Sequence, residues 1–250
     1  MRVARVILPG LLVTLSIPAL AEDLTVSTGV DYSRGRYGTP ITSGTWYVPV
    51  IAKYETGPMI YKLTVPWLRI TNPSVGPAGE PLPGGCDIVE SGLGDTVASA
   101  DFALLDGSRG DGLMVDLVGK VKLPTADEDH CLGTGKVDYS GQVDLAQAFG
   151  AISGFATLGW RKFGDPSDTD FHDPVFASLG LVTRIAPATS VGAAYDWRQK
   201  VTSDGDEFQE FTLFLSQRLG PDWKVQLYAL KGFSDASPDS GGGLLFSHSF

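Results

Sequence analysis

Leu24-Thr25-Val26-Ser27-Thr28-Gly29-Val30-Asp31-Tyr32 decides the fold: its apolar residues fall on even positions and its small or polar ones on odd positions. An extended strand sends successive side chains to opposite faces, so this stretch has one apolar and one polar face. The rhythm recurs. In 138–149, Tyr139, Val143, Leu145 and Phe149 oppose Asp138, Ser140, Gln142 and Asp144. In 209–219, Phe211, Leu213, Leu215 and Leu219 oppose Glu210, Thr212, Ser216 and Arg218. No stretch beyond residue 22 carries a convincing helical period of 3.6. Strands are therefore expected at 23–33, 41–55, 58–70, 93–105, 112–123, 138–149, 151–162, 174–185, 190–199, 207–219, 222–231 and 242–250.

That count is twelve, an even number, and the connections between the segments alternate long and short. The long ones are 34–40, 71–92, 124–137, 163–173, 200–206 and 232–241; the short ones are 56–57, 106–111, Gly150, 186–189 and 220–221. A soluble sandwich has no reason to sort its loops to one end by length. A transmembrane antiparallel up-and-down β-barrel does, with short periplasmic turns and longer external loops. Four tryptophans, Trp46, Trp67, Trp160 and Trp197, fall near the expected external strand ends, and Trp223, Tyr54, Tyr61 and Phe149 near the periplasmic ends. Amphipathic rings belong at both membrane interfaces. The chain closes on a final strand ending in Phe250, which is similar to the C-terminal signal read by the barrel-assembly machinery.

The N-terminus reads as an address. Arg2 and Arg5 precede the apolar run Val6 to Ile17, and Ala19-Leu20-Ala21 fits a small-x-small cleavage site. A signal peptide is expected at 1–21 and a single outer-membrane barrel at 22–250. Export implies a Gram-negative outer membrane, with lipid and lipopolysaccharide as surroundings. Mean hydropathy near zero excludes a bundle of spanning helices. A net charge of -10 over 250 residues argues against a nucleic-acid partner, because phosphates want a basic face. Loss of Arg2 and Arg5 leaves 17 basic against 29 acidic residues, a mature charge of -12.

Most of that acid excess lies in the long connections, where 14 acids, from Glu80 to Asp239, meet Arg34, Arg36, Lys136 and Lys200 and leave a sum of -10. Such a mouth would favour cations mildly. The alternation assigns Asp31, Lys53, Asp95, Asp101, Asp116, Lys120, Lys122, Asp138, Asp144, Arg184, Asp196, Arg198, Glu210, Arg218 and Lys224 to the lumen. They form either a selectivity lining or an ion-pair network that plugs a narrow barrel, since twelve strands leave a lumen that side chains can nearly fill.

Cys86 and Cys131 lie in consecutive long connections, and an oxidising compartment makes a disulfide the expectation. His130 and His172 sit in acidic loop sequences and His248 in the last strand. None shows a catalytic motif, and the acidic loops lack the spacing of an organised calcium site, so they read as solvated. No cofactor is implied.

Gly92-Leu93-Gly94-Asp95, Lys122-Leu123-Pro124-Thr125, and Leu132-Gly133-Thr134-Gly135 followed by Asp138-Tyr139 occur in that order. The set resembles the outer-membrane barrel family associated with the meta-pathway of phenol degradation. That resemblance implies a channel or transporter for small, hydrophobic or aromatic molecules, and no catalytic residue. Two alternatives stay open: a barrel-borne lipid- or lipopolysaccharide-modifying enzyme, favoured by a His-Ser or His-acid pair at the rim, and a closed structural barrel, favoured by a lumen filled side to side.

Overall fold

The structure, a computed structural model, describes residues 23–76, 80–82, 87–107, 112–166 and 170–250. The expected signal segment 1–21 and Cys86 lie outside the described residues. Strands β1 (Asp23–Gly35), β2 (Ser43–Thr56), β3 (Met59–Thr71), β4 (Val89–Leu93), β5 (Thr96–Asp106), β6 (Met114–Leu123), β7 (Asp138–Phe149), β8 (Ile152–Lys162), β9 (Val175–Ala186), β10 (Thr189–Arg198), β11 (Phe208–Arg218), β12 (Trp223–Gly232) and β13 (Ser240–Ser249) form one antiparallel meander. It closes because β1 pairs with both β2 and β13.

Thirteen strands make twelve staves. The expected strand 93–105 is β5, which pairs with the inner half of β3, from Met59 to Thr64; the stave is completed by β4, which lies in the connection expected at 71–92 and pairs with the outer half of β3, from Trp67 to Thr71. Prolines explain the break. Pro49 and Pro66 stand directly opposite each other in β2 and β3, and neither has a backbone N–H to give the ladder. Gly94 donates to the Pro66 carbonyl at 2.9 Å, and a Cβ on Gly94 would meet the Leu68 side chain at 2.8 Å. The chain turns there and delivers Asp95 inward.

The two faces of the wall differ in kind. Outward positions carry large exposed apolar side chains throughout, among them Leu63, Leu158, Leu179, Leu213 and Leu227. A surface of this composition is what hydrocarbon, not water, covers. Trp46, Trp67, Trp160 and Trp197 face outward at the long-loop end; Trp223, Tyr54, Tyr61 and Phe149 do so at the short-turn end. The charged side chains on outward strand positions are Arg34, Arg69, Lys162 and Lys231, each within three residues of its strand's long-loop end.

Both ends of the described chain meet at the short-turn end. Phe250 donates its backbone N–H to Leu24 at 2.9 Å, and its ring lies edge-on to His248, which stacks on Trp223. An unpaired last strand would leave backbone groups bare in lipid. Deleting Phe250 is therefore expected to lower the yield of heat-modifiable, membrane-inserted barrel. Unchanged yield and rate would remove Phe250 from assembly.

Candidate functional site: the lumen and its mouth

Strand register puts the expected lumen residues on inward positions, with Asp95 brought in by the β4–β5 break. Lys122 lies 2.9 Å from Asp95 and 3.1 Å from Asp138, and donates to Thr134 at 3.1 Å. Asp144 accepts from Thr157 at 2.6 Å and from Gln142 at 2.8 and 2.9 Å, and Lys62 stands 3.9 Å from Asp101. Lys53 pairs with Glu55. Arg184, Arg218 and Lys224 take inward positions nearer the short-turn end, where the two arginines are exposed. Asp116, Lys120 and Arg198 complete the charged β6–β10 wall.

Sequence reasoning missed Lys62, Glu55, Glu90 and Arg161. Lys62 shares its face with Ile60, Thr64, Leu68 and Ile70, while the opposite face holds Tyr61, Leu63 and Trp67. Both faces are largely apolar, so the alternation gave no direction.

Inward aromatic rings lie against the wall. Phe155 is the cross-strand partner of Gly180, Phe176 of Gly159, Phe214 of Gly192 and Tyr228 of Gly243. A Cβ on any of these glycines would come within 2.1 to 2.5 Å of the partner's aromatic side chain. Each glycine is thus a seat for a ring. Phe155 and Phe214 join Met114, Ala146, Val182 and Ala194 in an apolar belt inside the wall.

The long connections are folded. Ser74–Gly76 and Glu80–Leu82 pair antiparallel as a tongue, with Leu82 donating to Ser74 at 3.1 Å, Gly76 to Glu80 at 2.8 Å, and Val75 bridged to Pro81. Leu82 packs with Leu68, Ile70 and Leu132, so the tongue is seated in the mouth. Glu80, read from sequence as external charge, is 2% exposed and within electrostatic reach of Lys122, Asp138 and Arg161. Burial pushes its carboxyl above the usual carboxylate range, opposed chiefly by Lys122.

The expectation of freely solvated acidic loops needs further correction. Glu90 lies in β4 and is buried. Asp165 accepts the Phe171 N–H at 2.9 Å; Asp173 accepts that of Phe163 at 3.2 Å and pairs with Lys162 at 3.1 Å. Phe163, Phe171 and Val201 form a small core that joins the β8–β9 and β10–β11 loops. These acids hold loops in shape, and the free charge at the mouth is smaller than -10.

Charge is divided around the mouth. Lys122, Arg161 and Arg198 stand with Glu80 on the β6–β10 side. Beside Arg198, from β10 round to β2, Asp196, Glu210 and Asp31 sit with Tyr228 and Tyr47. Tyr37, in the β1–β2 loop, reaches the same group, and burial with Glu210, Asp239 and Asp31 nearby pushes its hydroxyl up.

Cys131 is fully buried, and Leu82 and Leu132 bring the two cysteine-bearing loops together. A Cys86–Cys131 bond would close about 46 residues, worth roughly 4 kcal/mol in the chain-entropy model. Alkylation of the unreduced protein is expected to leave both cysteines unmodified; two modified cysteines would refute the Cys86–Cys131 pair. His130 Nδ1 lies 2.9 Å from Asp127 Oδ2 on the exposed loop, which raises the histidine and lowers the acid. His172 Nε2 lies 3.4 Å from Ser203 Oγ at the rim.

No protein-family model matches the chain, and no curated protein sequence matches it. Its fold has solved counterparts. An outer membrane channel from Pseudomonas putida F1 superposes with a TM-score of 0.69 at 14% identity, over 95% of this chain and 97% of that one. The KdgM porin does so with 0.57 at 8% identity, over 90% and 99%. At those identities the likeness is one of architecture: this chain is a closed antiparallel β-barrel of twelve staves, built as those barrels are.

Proposed function

We propose that the protein is an outer-membrane channel for small solutes, aromatic ones included, exported after cleavage near Ala21 and inserted by the barrel-assembly machinery. One observation carries this reading: charged and polar side chains face inward from the Lys122 group at the mouth to Arg184, Arg218 and Lys224 at the far end, inside a wall that is apolar outside. A lipid-facing barrel with a dry function has no need of a charged lining. The rings seated on glycines support passage of aromatic solutes, because they offer flat apolar surface along the inner wall. The outward basic ring supports an orientation with the long loops at the cell surface, where lipopolysaccharide phosphates would meet it.

Exposed Asp204, Asp206, Asp235 and Asp239 keep the mouth acidic and favour cations. In proteoliposomes the protein is expected to admit small neutral aromatic alcohols. A salt gradient should give a cation-favouring reversal potential that fades as the screening length shrinks to about 10 Å at 0.1 M. Anion selectivity would refute the electrostatic argument, and exclusion of every solute would favour a closed structural barrel.

The Ser203–His172 pair is the observation that favours an enzyme. It ranks second because the contact is long for a catalytic hydrogen bond, and among the described residues no carboxylate orients the other ring nitrogen. Phospholipid hydrolysis lost in Ser203→Ala would reverse that ranking.

A further inference from the structure

The four outward cations are not spread evenly around the wall. Lys162 stands alone on β8 and is paired with Asp173 at 3.1 Å. The other three gather on five neighbouring staves, with Arg69 on β3, Arg34 on β1 and Lys231 on β12. Register sets them close together. Arg34 faces Ser240 on β13 and Gly44 on β2. Lys231 stands one residue past the Leu230–Gly241 pair, beside the same Ser240. Arg34 and Lys231 are thus two strand spacings apart, about 10 Å. Arg69 continues the group, with Trp46 as its partner on β2 and Tyr32 beyond it on β1.

Nothing on the outer wall balances these charges. Among the described residues no outward strand position carries an acid, and neither Arg34 nor Arg69 makes an ion pair. Lys231 donates to the backbone carbonyl of Asp239 at 2.7 Å, which leaves its charge uncancelled. Tyr32 and Trp46 lie between the arginines, their ring centroids 4.7 Å apart. The Tyr32 hydroxyl leans over Gly44, 3.0 Å from where a Cβ would stand. Below Ser240 and Lys231 the wall drops to Gly242 and Ala229, partners flanked by Tyr32 and Leu213. Leu244 and Leu227 then resume the apolar band. Cations at the edge of a hydrocarbon belt, with amphipathic rings beneath them, are placed for an anionic headgroup that carries acyl chains.

We propose that Arg34, Arg69, Lys231 and the Tyr32 hydroxyl form a docking surface for one lipopolysaccharide molecule, held through the two phosphates of its lipid A. Lysine and arginine side chains at this spacing reach both ends of a bisphosphorylated disaccharide, one at the Arg34–Lys231 edge and one at Arg69. Each guanidinium can grip a phosphate with two parallel N–H donors. The acyl chains run down over the Gly242–Ala229 trough and the rings of Tyr32 and Trp46. A glycerophospholipid with one phosphate engages half of the surface, so it fits less well. Lys162, six staves away and already paired, takes no part.

The surface rests on the outer-membrane orientation proposed above, with the long loops at the cell surface, so its test does not depend on conduction. Purified, heat-modifiable protein in non-ionic detergent is titrated with bisphosphorylated lipid A, monophosphoryl lipid A and phosphatidylglycerol, and bound lipid is counted by native mass spectrometry. One bisphosphorylated lipid A is expected per barrel, about tenfold tighter than either single-phosphate lipid, the worth of one charge-assisted contact. Arg34→Gln/Arg69→Gln should weaken that binding by about tenfold or more while keeping the heat-modifiable barrel. Lys162→Gln, on the opposite side, should leave it unchanged. Equal binding to wild type and double variant would overturn the surface. So would an equal loss in Lys162→Gln, or a single-phosphate lipid binding as tightly as the bisphosphorylated one, since either marks a general anionic belt. Lipid A binding by a protein that passes no current would support the surface and sink the channel; current without lipid A binding would do the reverse.

Discussion

Conductance through the barrel is expected to be lowest at acid pH and to rise as pH climbs from the ordinary carboxylate range upward. The cause is Glu80. Its carboxyl is buried when the tongue is seated, and burial raises it above the value of a free carboxyl, with Lys122 and Arg161 opposing and Asp138 reinforcing. The sign follows from linkage. A group raised in the seated state holds its proton more firmly there than in the unseated one. The seat is therefore fully stable below the free carboxyl's pKa and weakens as pH rises through the seated value. A change of about 1.4 kcal/mol alters the ratio of seated to unseated tongue tenfold, enough to be read as open time. Glu80→Gln, a permanent mimic of the neutral carboxyl, should hold the channel in its low-conductance state and flatten the profile. A variant that keeps the wild-type profile would show that Glu80 does not set the aperture.

The second large effect concerns the ring seats. In Gly159→Ala the new methyl would lie 2.2 Å from Phe176 Cζ and 2.8 Å from Gln142 Cβ, contacts with side chains and not backbone. The ring must then leave the wall and project into the lumen. Overpacking of this kind costs about 1–3 kcal/mol, so the barrel should fold with a lowered unfolding midpoint. Its conductance should fall severalfold, roughly as one aromatic ring placed across a narrow passage demands. Phe176→Ala in the same chain should restore conductance. If the double variant is as restricted as Gly159→Ala, the ring is not the obstruction.

How much of this was legible beforehand depended on periodicity. In Leu24 to Tyr32, in 138–149 and in 209–219 the polar face is unambiguous, and those segments are β1, β7 and β11. Around Pro66 the pattern fails. The strand expected at 93–105 is β5, and β4, read as part of the connection 71–92, is separate from it because paired prolines break the ladder and Asp95 is needed inward against Lys122. The ring seats could not be read either, since Phe155 and Gly180 are distant in sequence and meet only through register. Glu80 was the largest misreading. A proline- and glycine-rich connection looks solvated, and nothing periodic marks that Leu82 anchors it in the mouth. The acids of 163–173 misled for a related reason: a short loop core made of Phe163, Phe171 and Val201 uses them as backbone acceptors.

The claim that joins these arguments is that the charged, ring-lined interior is a passage through lipid. Single-channel recording from purified, heat-modifiable protein in a planar bilayer tests it most directly. The account predicts discrete, cation-favouring current steps that grow between acid and neutral pH in wild type and stay small in Glu80→Gln. Fully inserted protein that gives no steps at any pH would contradict it.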